Sequence, residues 1–266
     1  LPSRSFIELS QPEIAAQLKK NPLVILPAGS VEQHGPHLPT GTDIFAANVI
    51  AEAVAERMDG LVLPGGPLGV TPLHMPYEGT ITLSHETYMQ VVKETCISTA
   101  KHGAKRLLIL NWHEGNIPAL AIAAQSLHLD HGMTVLIVQA CYVAAEMFGA
   151  ECGGLSHGGE IETLAVLAAK PALVNPDRVV DSSDQQHGHK MDKLRRTNNY
   201  QPILGDIRSI APTGWYGSPQ RATLERGTQM VKDLADSISL EAREIFKQLE
   251  AVQRGIAEIK RLTRVN

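Results

Sequence analysis

Apolar positions in the first 140 residues come in two alternating textures. Leu23-Val24-Ile25-Leu26, Leu61-Val62-Leu63, Arg106 to Asn111 and Thr134 to Gln139 are short runs, apolar throughout rather than alternating, which predicts strands buried on both faces. Pro27 and Gly29 are expected to stop the first of them. Between the runs the spacing turns helical. Asp43 to Met58 places Ile44, Ala47, Ile50, Ala51 and Val54 on one face, with Asp43 positioned to cap and Gly60 to terminate. Ser84 to His102 and Asn116 to His131 are helices that end at Gly103 and Gly132. Strands alternating with helices predict an α/β fold whose parallel sheet is covered on both faces, and in such sheets ligands sit at the carboxyl ends of the strands.

Asn175 to Arg221 lacks periodicity and is rich in Pro, Gly, Asp, Ser and Asn, which reads as a long excursion, a lid or an oligomer contact. Helical spacing returns from Ala222 to Lys260, with Val231, Leu234, Ile238, Ala242 and Ile245 on one face. No repeat or low-complexity tract divides the chain, so residues 1–266 are expected to form one domain.

Charge and cysteine usage remove several function classes. With 24 Lys and Arg against 28 Asp and Glu there is no basic excess to meet a phosphate backbone, so nucleic acid is excluded as a partner. No apolar run approaches the ~18 residues needed to cross a bilayer. Leu1-Pro2-Ser3-Arg4 does not open a charged and then apolar leader, and a cytoplasmic location is the expectation. Cys96, Cys141 and Cys152 are odd in number and form no C-x-x-C pair, which argues against a disulfide framework and against a thiolate zinc site.

The chemistry gathers in three places. After the first strand, Glu32, Gln33, His34, His37 and Asp43 fall within one loop and the following helix start. A single histidine after a strand more often satisfies backbone groups, but four candidate oxygen and nitrogen donors in one loop suit zinc, manganese or iron. The second cluster, Asn111-Trp112-His113-Glu114-Gly115-Asn116, follows another parallel strand and therefore belongs at the same edge of the sheet. The third is Ser156-His157-Gly158-Gly159-Glu160-Ile161-Glu162-Thr163, where either glutamate also suits an ordinary acidic helix start.

The segments E-Q-H-G-P-H-L-P-x-G-T-D at 32–43, G-T-I-x-L at 79–83, N-x-H-x-G-N at 111–116 and H-G-G-E-x-E-T at 157–163 resemble the creatininase family. The resemblance covers roughly residues 20 to 170. It implies a three-layer α/β/α fold with a central, mainly parallel sheet, two divalent metal ions per chain (Zn2+ paired with Zn2+, Mn2+ or Fe2+), a small-molecule substrate, and a homo-oligomer, commonly a hexamer. Carried over by position, Glu32 and His113 would bind one metal, His34 the other, and Asp43 both, while His157 would act on the substrate near the scissile nitrogen.

Two positions depart from the family pattern. Creatininase supplies a further metal-binding glutamate two residues after the histidine of N-x-H, where this chain has Gly115, with Glu114 one place earlier. Glu160 is the candidate to complete the second metal's shell, leaving Glu114 to contact substrate or water. Creatininase also holds its flat substrate with tryptophans where this chain has Gly153 and Cys141 or Tyr142, so the resemblance does not extend to creatinine itself; Trp112 is the candidate pocket wall, or equally a core aromatic. The expected activity is hydrolysis of a C–N bond in a small cyclic amide by metal-activated water, with His37 and Gln33 orienting ligands. The alternatives are C–C cleavage of a cyclic diketone or oxidised cyclic sugar, hydrolysis of a formamide or peptide on the same centre, and a metal-binding protein without activity.

Overall fold

The computed structural model describes residues 3–66, 68–179, 185–196 and 202–263. Its centre is a four-stranded parallel sheet in the order β2-β1-β3-β4, built from β1 (Leu23–Ala28), β2 (Leu61–Val62), β3 (Arg106–Asn111) and β4 (Thr134–Gln139). β1 and β3 pair in register from Leu23↔Arg106 to Ala28↔Asn111, and their carboxyl ends therefore lie side by side.

Successive residues of the two central strands feed opposite cores, as a sheet buried on both faces requires. Leu23, Ile25, Leu108 and Leu110 pack on one side against α2 (Thr42–Met58), α5 (Ala140–Cys152), α6 (Glu160–Ala169) and α8 (Leu224–Thr263). Val24, Leu26, Leu107 and Ile109 pack on the other against α1 (Gln11–Lys20), α3 (His85–Lys101) and α4 (Ile117–His131). The architecture is the expected α/β/α. No helix among the described residues is long and apolar enough to cross a membrane. The three cysteines are buried free thiols.

Local differences from the sequence pattern have physical reasons. β1 runs through Pro27 because the missing N–H falls on the side of β2, which has already ended; Ile25 O, on that same side, accepts from Leu63 N. Asp43 does not cap α2. It is the second helical residue, 2% exposed, and its side chain turns into the site. On α8 it is Phe246 that is buried, whereas Ile245 is 36% exposed. The 175–221 excursion, of which 180–184 and 197–201 lie outside the described residues, contributes α7 (Gln185–Arg195) and a small cluster of Ile207, Ile210, Ala211 and Tyr216. That cluster packs on Leu73 and Tyr77 beside the carboxyl edge of the sheet.

α6 carries part of the site and is clamped by α8. At their crossing a Cβ on Gly227 would meet the Leu164 carbonyl oxygen well inside van der Waals contact. Gly227→Ala would gain ~1 kcal/mol of helix propensity but force two packed backbones apart, at ~1–3 kcal/mol. Clash should win, and the denaturation midpoint of Gly227→Ala should fall; a midpoint equal to or above that of the parent would show that the crossing has slack.

Candidate metal centre

The carboxyl ends of β1 and β3 are stitched together before any functional side chain is placed. Trp112 N donates to Ala28 O at 2.9 Å. Asn116 Nδ2 donates to Gly29 O at 3.0 Å while its Oδ1 accepts from Val70 N at 2.9 Å, joining three loops through one amide. Gly29 allows the start of α2 to press on the strand end, since a Cβ there would lie 2.6 Å from Asp43 C and Ile44 N.

Asp43 lies at the middle of the resulting cluster. Its Oδ1 is 3.2 Å from His34 Nε2, its Oδ2 is 3.1 Å from His113 Nδ1, and Ser30 Oγ donates to Oδ2 at 2.6 Å. Glu32 Oε2 accepts from Thr71 Oγ1 and stands 3.5 Å from His113 Nδ1; its Oε1 is 3.5 Å from His74 Nε2 and 3.8 Å from His157 Nδ1. Glu162 Oε2, held by Gly158 N, lies 3.8 Å from His34 Nε2. Three sets of donor atoms have mutual distances within 4.8 Å: Glu32, Asp43 and His113; His34, Asp43 and Glu162; Glu32, His34 and His157.

Each of three imidazoles spends its outer nitrogen on a backbone carbonyl. His34 Nδ1–H donates to Glu32 O at 3.1 Å, His113 Nε2–H to Val70 O at 2.9 Å and His157 Nε2–H to Gln33 O at 2.6 Å. The inner nitrogens consequently face the carboxylates, and once their protons are displaced by a cation they would offer it lone pairs, the arrangement that metal-binding histidines adopt. His34 Nε2 is buried and makes no hydrogen bond among the described residues.

Electrostatics express the same demand for cations. Burial disfavours charge on His34, but Asp43, Glu162 and Glu32 outweigh it and pull its pKa up to about 10; Glu32 and Asp43 likewise pull buried His113 up to about 9. Burial tends to raise Asp43, yet His34 and His113 hold it well below the usual carboxylate range. Desolvation dominates Glu162, raised to about 7, and also His157, which is driven well below its ordinary value with help from His34 and His74.

The residues singled out in the sequence are not all brought together. Glu32, His34, Asp43, His113 and His157 meet. Glu160 does not: its carboxylate is 1% exposed and faces away, paired with Arg226 and, at 3.1 Å, with Arg221. Residues two apart on a helix point about 200° apart, so α6 can aim only one glutamate at the cluster, and it aims Glu162. Gly115 cannot be replaced by a ligand-bearing residue in this backbone, because a Cβ there would collide with Val70 O. Glu114 instead accepts from Arg196 Nε at 2.7 Å on the wall of the chamber above the cluster. That chamber, about 300 Å³, is also lined by Trp112, Leu73, Leu155, Ile207 and Tyr216. His37 is set back, donating Nε2–H to Gly158 O at 2.8 Å. His74, a lone histidine in a proline-rich loop, offered no sequence signal beyond its nearness to the G-T-I-x-L stretch.

The family model for creatininase, described as creatinine amidohydrolase, matches residues 7–240. The chain is 31% identical over 227 residues, 81% of this chain and 82% of the relative, to a mycofactocin precursor peptide peptidase from Mycobacterium ulcerans (strain Agy99). It is 32% identical over 196 residues, 65% and 75% of the two chains, to a creatinine amidohydrolase from Pseudomonas putida. Among solved structures, a creatininase point mutant of Zn–Zn type superposes with a TM-score of 0.75 at 25% identity, and a manganese creatininase with 0.74 at 26%, each over 92% of this chain and 99% of the other. The fold, the cluster of candidate metal-binding side chains and these likenesses together place the chain in the creatininase family of hydrolases.

Proposed function

We propose that the protein is a two-metal amidohydrolase that opens the C–N bond of a small cyclic amide. The observation that carries this reading is that two buried donor sets, Glu32–Asp43–His113 and His34–Asp43–Glu162, share Asp43. The donor chemistry fits divalent ions: oxygen and nitrogen without sulfur, three buried carboxylates, and the buried His34 Nε2 that lacks a hydrogen-bond partner among the described residues. Two such ions, Zn2+ with Zn2+, Mn2+ or Fe2+, held by these residues would supply an acidified water and a polarised substrate carbonyl.

The chain's own residues account for the remaining work. Ser30, Thr71 and the Gly158 amide each donate to one of these carboxylates and hold its orientation. His157, neutral and with Nε2–H committed to Gln33 O, presents Nδ1 as a proton acceptor. It takes the proton of the attacking water and returns it to the departing nitrogen, which is too basic to leave as an anion. Trp112 and the apolar side chains above the cluster receive the substrate, and Glu114, tied to Arg196, forms the polar side of that wall.

A second reading, hydrolysis of a peptide bond, is favoured by the apolar lining of Leu73, Leu155, Ile207 and Ile210, which suits an aliphatic side chain, and by the relative named as a peptide peptidase. A panel of lactams, hydantoins, formamides and short apolar peptides separates the two. Turnover of the cyclic members supports the first reading and turnover confined to peptides the second; inertness of fully metal-loaded protein across the panel would remove both.

Two predictions follow from the ligand assignment. Asp43→Asn should lose nearly all bound metal by plasma mass spectrometry, and Ser30→Ala, which removes only the hydrogen bond to Asp43, should weaken metal affinity by about 10–100-fold; unchanged metal content in Asp43→Asn would break the shared-carboxylate reading. The two glutamates of α6 should separate cleanly. Glu162→Gln should lower metal content with little change in the stability of the metal-stripped protein, whereas Glu160→Gln should keep its metal and unfold at lower denaturant.

A further inference from the structure

On the reading of the site as an amide hydrolase, we propose that His74 is a catalytic residue of opposite polarity to the other three imidazoles: it donates a hydrogen bond through Nε2–H to the substrate oxygen that becomes negative, and Gln33 sets that tautomer.

The geometry runs outward from the Gln33 amide. Gly35 N donates to Gln33 Oε1 at 3.1 Å, and Gln33 Nε2 donates to Gly214 O at 2.5 Å, so two backbone groups of fixed polarity determine which end of the amide is which. Gly214 has φ +83° and a Cβ there would sit 2.7 Å from Gln33 Oε1; only glycine brings this carbonyl so close. The amide nitrogen has a second hydrogen and two imidazole nitrogens in reach, His74 Nδ1 at 3.0 Å and His157 Nε2 at 3.1 Å. His157 Nε2 already carries a proton, since it donates to Gln33 O at 2.6 Å. The second amide hydrogen therefore goes to His74 Nδ1.

A neutral imidazole that accepts at Nδ1 carries its proton on Nε2. His74 is 5% exposed, its Nε2 lies 3.5 Å from Glu32 Oε1, and it lines the chamber with its ring centroid 4.3 Å from that of His157. His157 directs a lone pair inward, as His34 and His113 would toward a bound cation; His74 directs an N–H. A neutral imidazole does not readily surrender that proton, which would leave imidazolate, so its chemistry is electrophilic, a fixed donor to developing oxyanion charge. One face of the site thus holds an acceptor for the water's proton at His157 Nδ1 and, beside it, a donor for the carbonyl oxygen at His74 Nε2.

The test uses zinc-loaded full-length protein labelled with [15N]histidine. Long-range 1H–15N correlations, with the His74 signals identified by their absence in His74→Phe, should show Nε2 protonated and Nδ1 bare. His74→Phe should keep the parent's zinc content but bind acetohydroxamate, a probe with an anionic oxygen, at least about tenfold more weakly. His74→Gln, which retains an N–H donor, should recover much of that affinity. On any amide the enzyme turns over, kcat of His74→Phe should fall by about 10²–10³, the loss expected for one oxyanion donor. A proton on Nδ1, a zinc-bound Nε2, or hydroxamate affinity unchanged in His74→Phe would each overturn the proposal, and the first two are read from the parent protein or His74→Gln even if His74→Phe does not fold. Failure of the amide-hydrolase reading looks different: no member of the substrate panel turns over while the tautomer and hydroxamate results stand.

Discussion

Burying Glu32, Asp43 and Glu162 within a few ångströms of one another costs several kcal/mol per ion in desolvation unless positive charge is placed among them. Among the described residues it is imidazoles that stand among these carboxylates to supply it, which is why His34 and His113 hold protons so tightly, with pKa values near 10 and 9. Much of the surrounding structure answers that constraint. Ser30, Thr71 and Gly158 donate hydrogen bonds to the carboxylates, and the backbone carbonyls of Glu32, Val70 and Gln33 hold the far nitrogens of the histidines. A divalent ion held by the same atoms would satisfy the carboxylates and the imidazoles at once, displacing the protons that otherwise occupy them.

The sheet makes this concentration of charge possible. Parallel strands in register put the residues after Ala28 and Asn111 next to each other without any long-range search by the loops. Close backbone approach then does what side chains cannot. Gly29 lets α2 deliver Asp43 from behind, and Gly115 lets the Val70 carbonyl reach His113. Gly115 also illustrates a trade: where the family pattern has a ligand after the N-x-H histidine, this chain has backbone contact, and the carboxylate beside His34 comes from α6.

The sequence made the fold legible because its signals are local and redundant. Four apolar runs and three glycine-terminated helices each point to a parallel α/β sheet covered on both faces, while the strand order β2-β1-β3-β4 is read from the structure. The candidate ligands of the loop were legible for a related reason: Glu32, His34 and Asp43 lie within twelve residues, and His113 follows a strand that must end beside them. Glu162 was harder. Glu160 and Glu162 have the same chemistry, and choosing between them requires the rotation of α6, which is set by the Arg226 and Arg221 clasp on Glu160 from residues some sixty positions later. His74 and Gly214 are farther still from being readable, because their roles exist only through the side chain of Gln33.

The 175–221 excursion is joined to the chemistry by more than coverage. Its residues Ile207, Ile210 and Tyr216 form the apolar side of the chamber, and Arg196 beside α7 ties the wall to Glu114. Gly214 reaches deeper, to the amide that sets one imidazole, and Trp215 packs against His37, which in turn holds the Gly158 carbonyl next to the amide that grips Glu162. A segment that varies the pocket wall therefore also touches, at one remove, both a proposed ligand and the histidine pair above it. Substitutions in the excursion that reshape the substrate chamber must leave Gly214 and Trp215 in place, since specificity and the polarity of the site are fastened by neighbouring residues of one loop.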